Sequence, residues 1–293
     1  MPRVMVTHLL CDHFEDTSAK GGRSPIRVEG HAALGRCWRV YADAMYRRWT
    51  SAYKFKWTPI LTYTRRHLAL LEWFEEHLDP VAFVEHPGRV GVALIVDDLR
   101  VTVRRAGMQL ESGLSGASVT HLSKAVEGIF QVFEPSDTVL TQARCTSSVA
   151  LDAADYHETC ARFGRMVGAA NNVAGGFRAV DGSALLDLHS DQVRAQVEWG
   201  IVDADELLFR LTHPDVGRLS YEEVPEPRDR TAGLLQDELP PVSTLVDISA
   251  TRVLGGEVSN PSSVEAAIAI ADTEAQDVSE SLARNFMAKA GDI

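Results

Sequence analysis

Short apolar runs alternate with longer amphipathic segments along the chain, a pattern that predicts both strands and helices. Residues 53–57 switch between aromatic and lysine side chains, which is the period of a half-buried strand. Further strands are predicted at 3–10, 81–86, 90–97, 99–111, 138–150, 183–189, 192–201, 206–212 and 243–252. His86-Pro87-Gly88 and Asp97-Asp98 predict turns between these strands, and Ala106-Gly107 predicts a kink or a split in the 99–111 strand.

Five segments carry apolar residues at helical spacing. They are 30–50, the segment from Pro59 to about Leu78, 118–133, 153–168 and 263–289. In the first of them, one stripe contains Leu34, Trp38, Tyr41, Met45 and Trp49. Hairpins outnumber β–α–β units, so the sequence predicts an α+β protein with mostly antiparallel sheets, helices packed on one side and a long C-terminal helix.

The 293 residues suffice for one large domain or two ordinary ones. Each half reads as antiparallel strands followed by a helix, which is compatible with two related lobes. The predicted lobes are 1–150, basic and aromatic at its start, and 151–293, which is acidic. A single compact unit is the alternative. Residues 214–241 contain five prolines and predict a long loop.

The last predicted helix has a heptad-like apolar seam. Its members are Val264, Ile268, Ala271, Ala275, Val278 and Leu282. Ser262 and Glu265, just after Pro261, have the spacing of a capping box at the start of this helix. Two partners fit the seam: the sheet of the same chain, or a second copy in a homodimer.

Charge is distributed unevenly along the chain. Residues 1–66 contain 12 Lys or Arg and 5 Asp or Glu, whereas residues 67–293 contain 17 and 36, for a total net charge of −12. This asymmetry indicates a charged partner or an electrostatic contact within the chain. Arginine outnumbers lysine by 24 to 5, which is typical of GC-rich prokaryotic genomes, so arginine content alone is weak support for phosphate binding.

The basic N-terminal stretch also holds eight of the chain's 21 aromatic residues, between Trp38 and Tyr63. Cations interleaved with aromatics are how proteins hold single-stranded nucleic acid. The candidate binding residues are Arg36, Arg39, Arg47, Lys54, Lys56 and Arg65, for nucleic acid or an acidic partner. The predicted helix and strand would turn most aromatics inward and leave the cations on a solvated face.

One stretch has the composition of a metal site. On a strand, Asp187, His189 and Asp191 share a face, so two carboxylates flank an imidazole. The stretch resembles the first motif of calcineurin-like metallophosphoesterases, but the later Gly-Asp-x-x-Asp and Gly-Asn-His motifs of that family are missing from the sequence. A solvated strand face is the simpler interpretation. No nucleotide-binding, serine-hydrolase or zinc-protease motif occurs, and no cofactor is predicted.

The four cysteines are widely and irregularly spaced, and no stretch approaches 18 uninterrupted apolar residues. The N-terminal run lacks the features of a signal peptide. We therefore expect a soluble, cytoplasmic protein with reduced thiols and no membrane partner.

Three functional hypotheses follow. The first is a non-enzymatic binding or assembly protein that acts as a subunit of a complex or as a homodimer. The second is a nucleic-acid-binding protein that uses the cations of residues 36–66. The third is a metal-dependent hydrolase built on the Asp187, His189 and Asp191 group.

Overall fold

The computed structural model describes residues 46–80, 82–94, 98–113, 119–153, 155–168, 183–190, 193–212, 239–252 and 258–290. Within these ranges nine strands form one antiparallel sheet, and five helices pack on it. The predicted α+β class, the antiparallel pairing and the long C-terminal helix are confirmed. None of the helices in these ranges is long and apolar enough to cross a membrane.

The sheet is continuous and its order is β2-β3-β4-β5-β1-β6-β9-β8-β7. The strands are β1 Tyr46–Lys56, β2 Ala82–His86, β3 Arg89–Leu94, β4 Leu99–Arg104, β5 Gly107–Ser112, β6 Val139–Ala150, β7 Ser183–His189, β8 Val193–Asp203 and β9 Val242–Arg252. β1 and β6 lie side by side in the centre, so the first strand of the described chain pairs with a strand that begins more than 80 residues later.

The helices are α1 Tyr63–Leu78, α2 Val119–Phe133, α3 Tyr156–Met166, α4 Ala204–Thr212 and α5 Pro261–Ala290. Four of them cover one face of the sheet. Here α1, α2 and the first turns of α5 bury one apolar core with β1, β3, β4 and β5. A second core lies between α3, the later turns of α5, and β8 and β9.

Helix α4 lies on the opposite face. Leu207 and Leu211 pack there against Trp49, Val202 and Leu245. Val202 and Leu245 are next in sequence to residues of the second core, Ile201 and Val246, and successive strand residues point to opposite faces. We call this face, which bears Lys54, Arg100, Gln109, Arg144 and Asp247, the polar face.

The heptad-like seam of α5 packs within the chain. Val264 and Ile268 belong to the first core, and Ala275 and Leu282 to the second. The remaining seam residues, Ala271 and Val278, are partly buried against the same cores. The seam is thus covered by the chain's own sheet and is not an exposed surface for a second copy.

The start of α5 differs from the predicted capping box. Helix α5 begins at Pro261, and Asn260 is the residue before it. The side-chain carbonyl oxygen of Asn260 accepts a hydrogen bond from the backbone N–H of Ser263 at 2.9 Å, and the Ser263 hydroxyl accepts one from the backbone N–H of Asn260 at 3.1 Å. Asn260 and Ser263 therefore form the reciprocal cap, since proline is favoured at the first helical position and does not itself need capping.

Two predicted elements are wrong where the structure describes them. Residues 46–50 of the predicted 30–50 helix belong to β1, and residues 30–45 lie outside the described residues. The predicted strand at 206–212 is helix α4, whose start is capped by Asp203: its carboxylate accepts from the Glu206 amide at 2.8 Å. The apolar spacing of Leu207 and Leu211 is that of one helical face.

The two halves of the sheet repeat a connection. In the first half, β1 is followed by α1, by a meander whose last strand, β5, pairs with β1, and by α2. In the second half, β6 is followed by α3, by strands of which the last, β9, pairs with β6, and by α5. The division of the chain at residue 150 into two lobes stays a prediction, as does the 214–241 loop, most of which lies outside the described residues.

Candidate binding surface at one end of the sheet

Basic side chains line up across five strands at one end of the sheet. In the register, His86 is the Cα partner of Arg89, Arg89 of Arg104, Arg104 of Gly107 and Gly107 of Lys56. With strands 4.7–4.9 Å apart, the four intervals from β2 to β1 span about 19 Å. We call His86, Arg89, Arg104 and Lys56, together with Arg105 at the adjoining turn, the basic row.

The basic row lies on the polar face because its neighbours in sequence lie in the first core. Phe55 precedes Lys56, Val103 precedes Arg104, and Val90 follows Arg89, and all three apolar residues are buried under α1 and α2. Alternation along each strand then turns the basic side chains to the other face. His86, Arg104 and Lys56 are exposed, and Arg89 is half-buried.

The turn between β4 and β5 is held in place by the segment that follows β1. The carbonyl oxygen of Arg105 accepts hydrogen bonds from the indole N–H of Trp57 at 3.1 Å and from the amide of Ile60 at 2.9 Å. A Cβ atom at Gly107 would collide with the carbonyl oxygen of Phe55. Because Gly107 has no side chain, β5 approaches β1 closely at this point of the row.

Carboxylates close to this end are engaged elsewhere. Glu85 is 3.1 Å from Nε2 of His67, and Glu134 is 3.3 Å from the Arg66 guanidinium. Asp137 accepts from the Thr58 hydroxyl at 2.6 Å. In the part of the chain that the structure describes, Lys54, Lys56 and Arg105 form no ion pair. The end of the sheet therefore carries a positive field.

The charged side chains in the middle of the polar face occur as ion pairs. Arg100 of β4 lies 3.2 Å from Glu111 on the neighbouring β5, and both side chains are largely buried. Arg144 of β6 binds Asp247 of β9 through two hydrogen bonds of 3.1 and 2.7 Å. Each buried cation here has an adjacent carboxylate, which is the usual condition for burying charge. Lys56 and Arg105, which form no ion pair within the described residues, lie instead at the end of the sheet.

The structure brings some of the sequence-predicted cations together and separates others. Lys56 is in the basic row, and Lys54 lies two residues before it on the same face. Arg65 is exposed in the first turn of α1 at the same end of the sheet, since the adjacent Tyr63 hydroxyl donates to the Val103 carbonyl at 2.9 Å.

Arg47 is at the other end of β1. Nine residues separate it from Lys56, a span of about 30 Å in a strand. Its guanidinium carbon is 4.2 Å from the centre of the Trp49 ring, the geometry of a cation–π contact. Arg36 and Arg39 lie outside the described residues.

Sequence reasoning missed His86, Arg89, Arg104 and Arg105. The predicted turns contained a signal that could have located these residues. The turns after His86 and Arg104 are separated by two strands, and alternate turns of a meander lie at the same end of the sheet. Combining the turns with the alternation in each strand would have put these residues beside Lys56.

The five aromatic residues from Trp49 to Tyr63 face the interior. They are Trp49, Tyr53, Phe55, Trp57 and Tyr63, and none is more than 5% exposed. Bases stack only on exposed rings, so these five residues provide no stacking platform beside the cations. The sequence-based expectation that the aromatics turn inward holds for this group, although Trp49 does so from a strand.

An acidic stripe lies at the far end of α1. Glu72, Glu75 and Glu76 are exposed and spaced at i, i+3 and i+4, which places them on one side of the helix, and the exposed Asp79 ends the helix in the left-handed conformation. Helix α1 has 16 residues and is about 24 Å long. It therefore runs from Arg65 at the basic end of the sheet to the acidic stripe at the other end.

The residues of the proposed metal site are only partly described. Asp187 and His189 lie on β7, are exposed and share a face, while Asp191 lies outside the described residues. Within the described residues, no three His, Cys, Asp or Glu side chains are grouped closely enough to hold a metal ion.

A polar joint separates the two cores under α5. Asp272 accepts hydrogen bonds from the guanidinium of Arg48 and the hydroxyl of Tyr53, both on β1. Tyr46 contacts the Sγ of Cys145 at 4.0 Å, and Ser147 is hydrogen-bonded to Ser279 of α5 at 2.9 Å. Helix α5 is thus joined to the two central strands by polar contacts between its two apolar segments.

The polar joint holds its titratable hydroxyl and thiol groups in the protonated form. Burial, reinforced by the negative charge of Asp272, raises the pKa of Tyr53 well above its usual range and that of the Cys145 thiol to about 12. Burial also raises the pKa of Tyr46. A nucleophilic thiol requires the opposite shift.

No protein-family model matches the chain, and no curated protein matches it.

Proposed function

We propose that this is a non-enzymatic binding protein that recognises an acidic polypeptide through the basic row. The observation that carries the proposal is the alignment of His86, Arg89, Arg104 and Lys56 across five strands, with Arg105 at the adjacent turn. Lys56 and Arg105 form no ion pair within the described residues, so both are available to an anionic partner.

An acidic polypeptide fits this surface better than a nucleic acid does. The rings that would stack bases are buried, so a nucleic acid would gain only phosphate contacts. The chain as a whole has a net charge of −12, which repels a polyanion at long range. A short acidic segment avoids most of this repulsion because it covers only the basic end.

The surface also has the dimensions of a polypeptide contact. Its length of about 19 Å corresponds to some six residues of extended chain or about three and a half turns of helix.

The test compares an acidic peptide with an oligonucleotide. Binding of a fluorescent oligoglutamate peptide and of single-stranded DNA is measured by anisotropy at about 50 mM salt, where the Debye length exceeds 10 Å. The Lys56→Glu/Arg105→Glu variant reverses two exposed cations of the basic row. The control, Arg165→Glu/Arg284→Glu, makes the same charge change at exposed positions of α3 and α5.

We expect the peptide to bind the wild-type protein and the control, and to bind the row variant at least about tenfold more weakly, a loss of about 1.4 kcal/mol. Equal affinities of the two variants would refute the role of the basic row. DNA binding in the absence of peptide binding would replace the proposal by the nucleic-acid hypothesis.

A further inference from the structure

We infer that the acidic polypeptide is a second copy of this chain, and that the acidic stripe of one copy docks on the basic row of another. The inference rests on the proposed function and adds the identity of the partner. The two surfaces have opposite charge and lie on opposite faces of the sheet, the stripe on the last turns of α1 away from the basic end, so neither satisfies the other within one copy.

The acidic stripe has the form of a docking surface. The carboxylates of Glu72, Glu75 and Glu76 lie on one face of the last two turns of α1, and Asp79 follows at its end, a length of about 10 Å that fits within the 19 Å of the basic row. Glu72, Glu75, Glu76 and Asp79 are exposed, and none of them forms an ion pair in the part of the chain that the structure describes. Four carboxylates on one copy therefore face five basic residues on the other.

The charges on α1 are arranged against the stability of the helix. Arg65 and Arg66 are in its first turn, where the helix dipole favours carboxylates, and Glu75 and Glu76 are in its last turn, where it favours cations. Each such charge costs about 0.3–1 kcal/mol when exposed. Arg66 has a structural use, because it donates to the Val132 carbonyl at 3.0 Å. The acidic residues have no comparable contact.

The stripe also opposes itself. Carboxylates at i, i+3 and i, i+4 of a helix repel, and Glu72, Glu75 and Glu76 form two such pairs, each costing about 0.2–0.5 kcal/mol. Docking on the basic row of a second copy relieves both the internal repulsion and the unfavourable interaction with the dipole.

The contact joins two different surfaces, and its stoichiometry follows from symmetry. If a two-fold axis closes the pair, each copy contributes one basic row and one acidic stripe and the product is a dimer. If it does not close, the same contact continues into longer assemblies. Molar mass measured across a concentration series distinguishes these two forms, both of which contain the proposed contact.

A charge-swap experiment tests the inference. The row variant Lys56→Glu/Arg105→Glu and the stripe variant Glu75→Lys/Glu76→Lys are measured separately and as an equimolar mixture by light scattering after size exclusion. The Arg165→Glu/Arg284→Glu protein is the control. We expect the wild-type protein and the control to associate in the micromolar range at about 50 mM salt and to dissociate at about 0.5 M salt.

Each variant alone is expected to be a monomer, because reversing two charges cancels the excess charge of the altered surface and leaves the intact surface without a complement. In the mixture the wild-type row of the stripe variant meets the wild-type stripe of the row variant, and the exchanged positions of the two altered surfaces again carry opposite charges. We therefore expect the mixture to regain the mass of the wild-type assembly. Failure of the mixture to associate, or a wild-type monomer at about 100 μM in low salt, would overturn the inference.

The peptide assay separates this failure from failure of the proposed function. A monomeric wild-type protein that still binds oligoglutamate through Lys56 and Arg105 removes the second copy as partner and leaves the binding surface. Loss of both activities removes both proposals. If the inference is correct, the stripe variant binds the peptide more tightly than the wild-type protein does, because its own acidic stripe no longer competes.

Discussion

Replacing Asp272 by asparagine tests the polar joint that holds α5 on the two central strands. Asp272 is the shared acceptor of Arg48 and Tyr53. Asparagine keeps the size of the side chain and one acceptor oxygen, but it removes the negative charge and cannot serve both donors equally. The guanidinium of Arg48 is then left beside the buried Tyr53 hydroxyl without its counter-charge.

The size of the effect follows from the exposure of the two charges. The side chain of Arg48 is 35% exposed and that of Asp272 is 25% exposed. Exposed ion pairs contribute about 0–1 kcal/mol, whereas breaking a fully buried pair costs about 3–5 kcal/mol. A half-buried pair with one additional hydrogen bond lies between these limits, so we expect a loss of about 2 kcal/mol. In urea, with a slope near 3 kcal/mol/M, the midpoint falls by about 0.7 M.

The assay is equilibrium unfolding in urea followed by the fluorescence of the five tryptophans. Asp277→Asn is the matched control, because it makes the same chemical change at an exposed position one to two turns along α5. Tyr53→Phe removes only the hydroxyl and should cost about 1 kcal/mol. The double variant should then lose less than the sum of the two single losses, because both act on one hydrogen bond. An Asp272→Asn protein within about 0.5 kcal/mol of wild type would refute the role assigned to the joint.

Three further predictions concern other parts of the structure. Gly107→Ala should destabilise the protein by about 2 kcal/mol or more and weaken peptide binding, because its Cβ would displace β5 from the carbonyl of Phe55; unchanged urea unfolding would contradict the close approach. Asn260→Ala should cost about 1 kcal/mol by removing the cap of α5, whereas Ser262→Ala should cost little; equal effects in thermal unfolding would contradict the Asn260–Ser263 cap. Cys145 keeps its proton in the folded state up to about pH 12, while an unfolded cysteine loses it near 8.5, so the unfolded state binds fewer protons above that pH. This contribution to stability is complete below about pH 8.5 and falls by up to about 1.4 kcal/mol per pH unit as the pH rises toward 12. The stability advantage of wild type over Cys145→Ala should therefore narrow between pH 8 and 10.5 in urea titrations. A difference in stability that stays constant over this range would show that folding does not raise the pKa of the thiol.

Local periodicity determined much of the secondary structure. The alternation at Tyr53, Phe55 and Trp57 predicted a strand, and the spacing of Phe74 and Leu78 predicted a helix ending near Leu78; both are present in β1 and α1. The signal works because side-chain direction repeats every two residues in a strand and every 3.6 in a helix, whatever the strand or helix packs against. The same reasoning put Leu68 inward, and the structure exposes it.

Long-range pairing decided the elements that periodicity misassigned. Trp49 fits a helical stripe in the sequence, but Tyr46, Arg47 and Arg48 pair with β6, and Trp49 is the extra residue at a bulge between Arg48 and Thr50. Its ring is buried under α4, and its indole N–H donates to Ser148 at 2.8 Å. Hydrogen bonds to a strand 100 residues away are not encoded in the local pattern, so the helix prediction failed here.

The charge asymmetry was visible in the sequence, but the binding surface was not. Composition placed the excess of cations in residues 1–66, and from that stretch only Lys56 enters the basic row. Arg104 and Arg105 join Lys56 from almost 50 residues away, while Arg47, nine residues from Lys56, lies at the opposite end of the same strand. The sequence by itself determined which residues alternate and how much charge the chain carries. Only the tertiary structure decided which charges meet, because neighbours across a sheet are chosen by strand order and register, which depend on contacts between distant parts of the chain.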